Sequence, residues 1–365
     1  MVRYIIRRLI GAIPTLFVVS LLIYTVLLLA PGGPQHRFEQ NPKITAAQIE
    51  AFKHRWGLDQ PIPIQYCRWV GVCNPDGQGL GVFISNKGVP NFLPSFLGGG
   101  DNGVLHGDLG YSATSGSSVS SLIGQRVLPT AILAGTALLV WILLALATGM
   151  LAAVRQYSKA DTAITIFNYV GFSFPTFWLG LMLIVVFAGT LHLLPASGMW
   201  DARTVPIFGS DAYWKFFGKN PGGALIDLGR HLILPVITLV FVNIAGDSRF
   251  VRAAMIDALN QDFVRTARAK GVGERGVVFR HAFRNALLPV VTNIALELPF
   301  LFAGAVATES IFSWPGMGLA YIQAVRFFDY PVLMGILTIT AVIVVAANLL
   351  ADILYAVVDP RISYG

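Results

Sequence analysis

The chain has 365 residues, of which 55% are hydrophobic and 12% are charged, and its mean hydropathy is +0.66. Soluble domains carry about 25% charged residues, so this composition excludes an ordinary soluble domain and predicts an all-α polytopic membrane protein. The net charge of +7 does not predict binding to nucleic acid, because the basic residues lie in short segments that flank apolar spans.

Six apolar windows of about 20 residues predict six transmembrane helices. They run from Leu9 to Ala30, Thr130 to Val154, Ile164 to Leu191, Leu232 to Gly246, Leu287 to Ala307 and Val332 to Val358. The fourth window is too short to cross a bilayer alone, so we expect its helix to continue past Asp247 into the polar segment that follows.

The basic segments lie before the first span and after the second, fourth and sixth spans. Because cytoplasmic loops are enriched in Lys and Arg, both termini are predicted to be cytoplasmic. Residues 1–30 then form an N-terminal segment with the first helix, and residues 31–129 form a long extracytoplasmic loop subdomain. Residues 130–358 form a transmembrane core with a cytoplasmic segment at 249–286, and residues 359–365 form a cytoplasmic tail.

The extracytoplasmic loop contains both cysteines of the chain, Cys67 and Cys73. An oxidising compartment would allow a disulfide between them, and two free buried thiols are the alternative. The six histidines are scattered singly along the chain, and zinc needs several ligands at suitable spacing. We therefore expect no metal site.

Motifs of catalysis are absent from the sequence. It contains no phosphate-binding G-x-x-x-x-G-K-[ST] loop, no G-x-S-x-G turn and no H-E-x-x-H helix. We therefore expect a non-catalytic chain with no catalytic residues. Energy for any transport must come from ions that move through the chain or from a separate ATPase subunit.

Ionisable residues inside membrane spans are candidates for function. Asp247, Glu309 and Asp352 lie near predicted span ends, where an interfacial or packing role is the alternative to a functional one. Glu297 lies in the middle of a span just before Pro299, so we expect it to face a bundle interior or a water-filled path, with a structural hydrogen bond as the alternative. Glu297, Glu309 and Asp247 are the candidates for a translocation path.

The segment between the fourth and fifth spans predicts a helix, a glycine turn and a second helix on the cytoplasmic side. The first helix is expected from Arg249 to Lys270, where "GVG" stops it. Ala267 and Ala269 keep its end thin, Gly271 supplies the turn, and the flanking basic residues are Arg265, Arg268 and Lys270. This shape suits a groove on another protein, and a solvated basic loop is the alternative.

The same segment resembles a known family. "QDFVRTARAKG" and "RHAFRNALLPVVT" are similar to the coupling motif of ABC importer permeases, in the version found in B-subunit permeases for dipeptides and oligopeptides. Further strings agree along nearly the whole chain, among them "HGDLGYS", "FSFPTFWLGLMLIVVFA", "LLPASG", "HLILPVITL", "ESIFSWPGMG" and "DPRISYG". The glutamate of the general coupling motif is absent, and Arg265 lies near its place.

The resemblance implies the type I importer permease fold with six spans in a bacterial plasma (inner) membrane. It implies four partners besides membrane lipid and substrate: a second homologous permease, two ATPase subunits and an extracytoplasmic binding protein. ATP and Mg²⁺ would be used by the ATPase subunits, with no cofactor on this chain. Contact with the ATPases would involve Arg265, Thr266, Ala267, Arg268, Ala269, Lys270 and Gly271.

The function implied by the resemblance is a translocation path for dipeptides or oligopeptides that works by alternating access. Related permeases carry nickel, glutathione or other small solutes, and the spans do not discriminate between these substrates. A secondary transporter is the alternative from another class. It would need ion-coupling residues and usually internal repeats, and we see no repeat.

Overall fold

The computed structural model describes residues 2–29, 45, 47, 49–50, 59–72 and 103–358. Regular structure in these ranges is helical, apart from one isolated bridge between Tyr111 and Ser118. The helices are α1 (Val2–Leu29), α2 (Ile62–Val70), α3 (Val119–Val154), α4 (Lys159–Ser173), α5 (Thr176–Leu183), α6 (Asp211–Lys219), α7 (Pro221–Leu259), α8 (Asp262–Ala269), α9 (Arg284–Ile311), α10 (Met317–Arg326) and α11 (Tyr330–Val358).

The all-helical membrane fold expected from composition is confirmed. Among the described residues, four helices are long and apolar enough to cross a membrane, namely α1, α3, α7 and α11. The bent pair formed by α4 and the segment Thr176–Thr190 raises the number to five if it counts as one span. Helix α9, with 28 residues, covers the fifth predicted window. The total of six spans stays a prediction.

The third predicted span is not one straight helix. The chain bends by 100° between Lys159–Ser173 and Thr176–Thr190. Phe174 has the extended angles φ −87° and ψ 128°, because the ring of Pro175 disfavours the helical conformation for the residue before it. After α5 the chain continues as a π-helical segment, Ile184–Thr190. The helix is therefore interrupted at "FSFP", although the sequence there is an uninterrupted apolar run.

The fourth span continues past Asp247 as expected. Helix α7 has 39 residues, from Pro221 to Leu259, which corresponds to a length of about 58 Å. The single helix predicted from Arg249 to Lys270 is wrong, however. Helix α7 ends at Leu259, Gln261 takes an extended conformation with ψ 153°, and α8 starts at Asp262.

The chain divides into two compact units. The first comprises residues 1–9, 129–318 and 344–365, and the second comprises residues 10–128 and 319–343. In the first unit, one cluster of buried side chains joins α3 to α7 around Trp141 and Trp314. In the second unit, Tyr24, Tyr66 and Trp69 form an aromatic cluster with Met334.

Helices α3 and α7 lie side by side in the first unit. Thr148 Oγ1 donates a hydrogen bond to Ser248 Oγ at 2.9 Å, a pair separated by 100 positions. A Cβ on Gly149 would lie 2.5 Å from the backbone oxygen of Ser248, so glycine is required for this close approach. The contact fixes the register in which residues of α3 lie beside residues about 100 positions later in α7.

Candidate functional site

A helical turn projects from the first unit at Gly271. Helix α8 ends at Ala269, and Gly271 adopts the left-handed conformation with φ 78°. The amide of Gly271 donates to the carbonyl of Arg268 at 2.9 Å, and the amide of Val272 donates to the carbonyl of Ala267 at 3.2 Å. This pair of bonds is a Schellman motif, in which glycine is the favoured residue because it has no Cβ. The predicted glycine turn is confirmed.

The turn is held by the apolar face of α8. Val264 and Ala267 are buried in a cluster with Met255 of α7 and Val277 and Ala282 of the following segment. That segment is a π-helix, Val277–Phe283, and leads directly into α9. Because α8 contacts both segments within one core, a displacement of α8 must be accompanied by movement of its packing partners.

The remaining face of α8 is exposed. Among the residues predicted to contact an ATPase, those that lie on this surface are Arg265, Thr266, Arg268, Ala269, Lys270 and Gly271. Ala267 lies in the core instead and is 5% exposed, so it positions the turn and does not form part of its outer surface. The sequence did not separate Ala267 from Ala269, because both are small and near the end of the helix.

An ion pair spans the turn. The Arg268 guanidinium donates two hydrogen bonds to the Glu274 carboxylate, Nη2 to Oε1 at 2.6 Å and Nε to Oε2 at 3.2 Å. These hydrogen bonds hold the pKa of Glu274 below its usual range. Both side chains are exposed, so the pair orients the turn and adds little stability. Arg268 therefore faces Glu274 across the base of the turn.

Replacement of Arg268 by Gln is expected to raise the pKa of Glu274 toward its usual value of about 4.3. Because the pKa is lowered in the folded protein, the stabilising contact is fully present above about pH 4.3 and is lost as the pH falls through the folded value. Titration of selectively labelled glutamate carboxyl carbons by NMR measures the change. Arg275→Gln is the control, and an equal rise in that variant would contradict the assigned pair.

A second ion pair connects α4 to α7. Asp161 is buried, and Arg252 donates to both of its carboxylate oxygens at 2.8 Å. Asp161 Oδ2 also accepts a hydrogen bond from the amide of Tyr157 at 2.9 Å, while the Ser158 hydroxyl caps α4 at the amide of Asp161. The sequence did not indicate the pair of Asp161 with Arg252, although "SKAD" has the spacing of an N-terminal capping box.

Replacement of Arg252 by Met should lower the free energy of unfolding by about 2 kcal/mol, because the Asp161 carboxylate loses its charged donors. Thermal unfolding in nanodiscs measures the change. Arg284→Met removes a basic residue from an exposed position near the same side and is the control. The double variant Asp161→Asn with Arg252→Met should recover part of the loss. Equal melting temperatures for Arg252→Met and the wild type would contradict a stabilising role for the pair.

Asp247 forms a polar contact between α7 and α9. Its side chain is buried, and Oδ1 accepts a hydrogen bond from Asn293 Nδ2 of α9 at 2.7 Å. The neighbouring Ser248 forms the contact with Thr148 of α3 that was described above. Asp247 therefore lies where three membrane helices meet in the first unit, and its role in a translocation path stays a prediction.

Glu309 is fully buried, in contact with α3, the loop that follows α9 and the start of α10. Oε1 accepts from Thr130 Oγ1 at 2.7 Å, and Oε2 accepts from the amide of Gly318, in the first turn of α10, at 2.7 Å. A Cβ on Gly316 would collide with the Glu309 carboxylate. Of the two roles that the sequence leaves open for Glu309, its contacts match packing, while the path role stays untested.

Two predictions fall outside the described side chains. Glu297 lies within α9, and its side chain is not among those described. Cys67 lies in α2, but Cys73 is outside the described residues, so the proposed bridge between them stays a prediction. Groups of three or more His, Cys, Asp or Glu that could hold a metal ion do not occur in the described part of the chain.

Comparison with known proteins identifies the family. Residues 145–364 match the family described as the binding-protein-dependent transport system inner membrane component, and residues 1–78 match the family of its N-terminal part. The chain belongs to this family. It is therefore a multi-pass inner membrane permease component, and the residues matched at 145–364 include both ion pairs, the Gly271 turn and Glu309.

Two relatives align with this chain along their whole length. The oligopeptide transport system permease protein AppB of Bacillus subtilis is 37% identical over 365 residues, which cover 100% of both chains. The glutathione transport system permease protein GsiC of Escherichia coli K12 is 34% identical over 364 residues, again with 100% of both chains covered. The ABC importer permease family suggested by the motifs is confirmed.

Proposed function

We propose that this permease forms half of the translocation path of an ATP-driven importer for peptides. The observation that carries the proposal is the exposed, basic Schellman turn at Gly271, packed onto both α7 and the segment leading into α9. The other half would come from a second homologous permease. Two ATPase subunits would bind at the turns of the two permeases, and an extracytoplasmic binding protein would deliver the substrate.

The turn is suited to transmit movement. Its exposed tip carries positive charge and small residues, while its base is fixed by Val264 and Ala267 in the core. When two ATPases close on ATP, a groove that holds the turn would displace α8 and, through the shared core, α7 and α9. The two permeases would then alternate between inward-open and outward-open states. ATP and Mg²⁺ remain with the ATPases.

Peptide is the substrate class that the comparisons favour. AppB is named for oligopeptide transport, and GsiC is named for glutathione, itself a small peptide-like solute. Glutathione is accordingly the second candidate. We assign di- and oligopeptides as the main substrate class because the family motifs of the sequence and the 37% identity to AppB point in the same direction.

Uptake by the complete transporter tests the proposal. Intact cells, or right-side-out vesicles loaded with ATP and supplied with the binding protein, should accumulate labelled tripeptides and pentapeptides in an ATP-dependent way, with sensitivity to vanadate. A protonophore applied with ATP held constant should leave uptake unchanged. Uptake that follows the proton gradient would identify a secondary transporter, and competition by glutathione alone would identify the second candidate as the substrate.

The predicted orientation places Ser115 and Lys270 on opposite sides of the membrane, and both residues are exposed. In a variant without Cys67 and Cys73, Ser115→Cys should react with an impermeant maleimide in intact cells with the outer membrane permeabilised. Lys270→Cys should react only after the inner membrane is opened. The asymmetry of Lys and Arg along the chain is the reason. Labelling of both positions from the same side would overturn the assigned orientation.

A further inference from the structure

The loop before α6, helix α6 and the start of α7 carry a group of exposed apolar side chains, called here the apolar patch, at the end of α7 that is opposite the Gly271 turn. The patch consists of Ile207, Trp214, Leu225 and Ile226, whose side chains are between 50% and 67% exposed. Its members belong to one short stretch in which only Asn220 separates α6 from α7. Isolated exposed apolar residues are ordinary on protein surfaces, but four in one stretch beside a membrane span call for an occupant.

The register between α3 and α7 gives the depth of this patch. Residues 127–154 of α3 carry no Asp, Glu, Lys or Arg, and Arg126 precedes them. With the offset of 100 positions shown by Thr148 and Ser248, the level of Arg126 on α3 corresponds to residue 226 of α7. The uncharged run of α7 begins at Leu232, after the exposed Arg230, so the hydrocarbon layer on α7 starts near Leu232. Leu225 and Ile226 therefore lie about two helical turns before it, at the level of the lipid headgroups.

Helix α6 lies at the same level. It packs against α7, and Tyr213 is buried on its inner face. Burial raises the pKa of Tyr213, and the charge of Asp227 raises it further. Asp227 Oδ2 also accepts a hydrogen bond from the amide of Asp201 at 3.1 Å. The buried Tyr213 and the packing of α6 against α7 thus hold α6 beside this end of α7.

The side chains of α6 have the chemistry of a membrane interface. Trp214 packs its ring against those of Phe208, Tyr213 and Phe217, with ring centroids 5.2 to 6.2 Å apart, and remains half exposed. Lys215 and Lys219 follow at helical spacing on the exposed side of α6. Tryptophan is enriched at bilayer interfaces, and lysine stems extend along apolar surface toward headgroup phosphates.

We propose that α6 is an interfacial anchor, with Trp214, Leu225 and Ile226 in the headgroup layer next to the acyl chains, and Lys215 and Lys219 beside phospholipid phosphates. The occupant of the patch is the lipid leaflet on the side opposite the Gly271 turn. A contact with a binding protein would instead leave Trp214 in water until that protein arrives. The proposal does not depend on which substrate is carried.

Fluorescence quenching of the assembled importer in nanodiscs tests the anchor. Emission from Trp214 is obtained as the difference between the wild type and Trp214→Phe. With brominated phospholipid, we expect this difference to lose most of its intensity when bromine is near the headgroup end of the acyl chain, and less when bromine is near the methyl end. Trp69→Phe is the control, because Trp69 is 1% exposed and its emission should not respond to lipid bromine.

Other outcomes would overturn the anchor. Quenching by iodide in water, without any effect of brominated lipid, would place Trp214 in solvent. Protection from iodide by added binding protein would assign the patch to protein docking, and insensitivity to both quenchers would assign it to a partner subunit. As a second measurement, the melting temperature should rise from phosphatidylcholine to phosphatidylglycerol nanodiscs, and Lys215→Gln with Lys219→Gln should reduce that rise. If the double lysine variant shows the same rise in melting temperature as the wild type, the lysines do not contribute to the anchor.

Discussion

An importer reconstituted with Gly271→Asp is expected to insert and to pair with its partner permease, but to lose ATPase subunits and substrate-stimulated ATP hydrolysis by at least about ten-fold, a loss of about 1.4 kcal/mol in coupling. A Cβ at position 271 would meet nothing within 4 Å, so the folded chain itself has room for a side chain. The loss would come from bulk and negative charge on a basic turn that enters a groove of an ATPase subunit in the proposed mechanism. Co-purification of the ATPases and hydrolysis assays measure it.

Gly116→Asp is the matched control for this change. Gly116 is also left-handed, with φ 70°, and a Cβ there also meets nothing within 4 Å, so both variants carry similar backbone strain. Gly116→Asp should retain its ATPases because it lies in the predicted extracytoplasmic loop. In Gly271→Asn the side chain has nearly the size of aspartate but no charge, so this variant separates the effect of bulk from the effect of charge. If Gly271→Asp retains the ATPase subunits as the wild type does, the turn is only a solvated basic loop and the proposed contact is wrong.

The variant Glu309→Ala should lower the free energy of unfolding by about 3 to 5 kcal/mol and sharply reduce the yield of folded protein. The change empties the space of a fully buried side chain and leaves the Gly318 amide and the Thr130 hydroxyl without their carboxylate. Thermal unfolding and size-exclusion chromatography in mild detergent measure the effect.

Two further variants distinguish packing at Glu309 from a path role. Gly316→Ala should also destabilise the protein, because its Cβ would collide with the Glu309 carboxylate while the carboxylate itself is unchanged. Glu309→Gln keeps the volume and should lose less stability than Glu309→Ala. If Glu309→Ala melts like the wild type but transports poorly, Glu309 acts on the substrate path and the packing assignment is wrong.

The spans were predictable because their signal is local. Uncharged runs such as the one that ends at Val154 must be buried in lipid or protein whatever their neighbours are. The breaks were harder to predict. Gln261 interrupts a stretch of good helix formers with an ordinary polar residue, so propensity alone gives no reason for α7 to end at Leu259. Pro175 did carry a signal, but the apolar run that surrounds it suggested continuity.

The site shows the same division between local and distant information. The turn at Gly271 follows from its own glycine, and its exposed charges are visible in the sequence. Thr130 lies 179 positions from Glu309 and Arg252 lies 91 positions from Asp161, so these two pairs depend on helix packing that one sequence does not reveal. Ala267 differs from Ala269 only in the face of α8 that it occupies.

Helix α7 joins α6, the proposed interfacial anchor, at one end to the Gly271 turn near the other, within one compact unit. Over its length of about 58 Å, a tilt of about five degrees displaces one end by about 5 Å relative to the other. If α6 is held at the lipid surface, the end of α7 that contacts α6 acts as a fulcrum. The Gly271 turn, near the other end of α7, then moves the most when α7 tilts. A small angular change at the fulcrum is then geometrically sufficient to accompany an ångström-scale stroke of the ATPases.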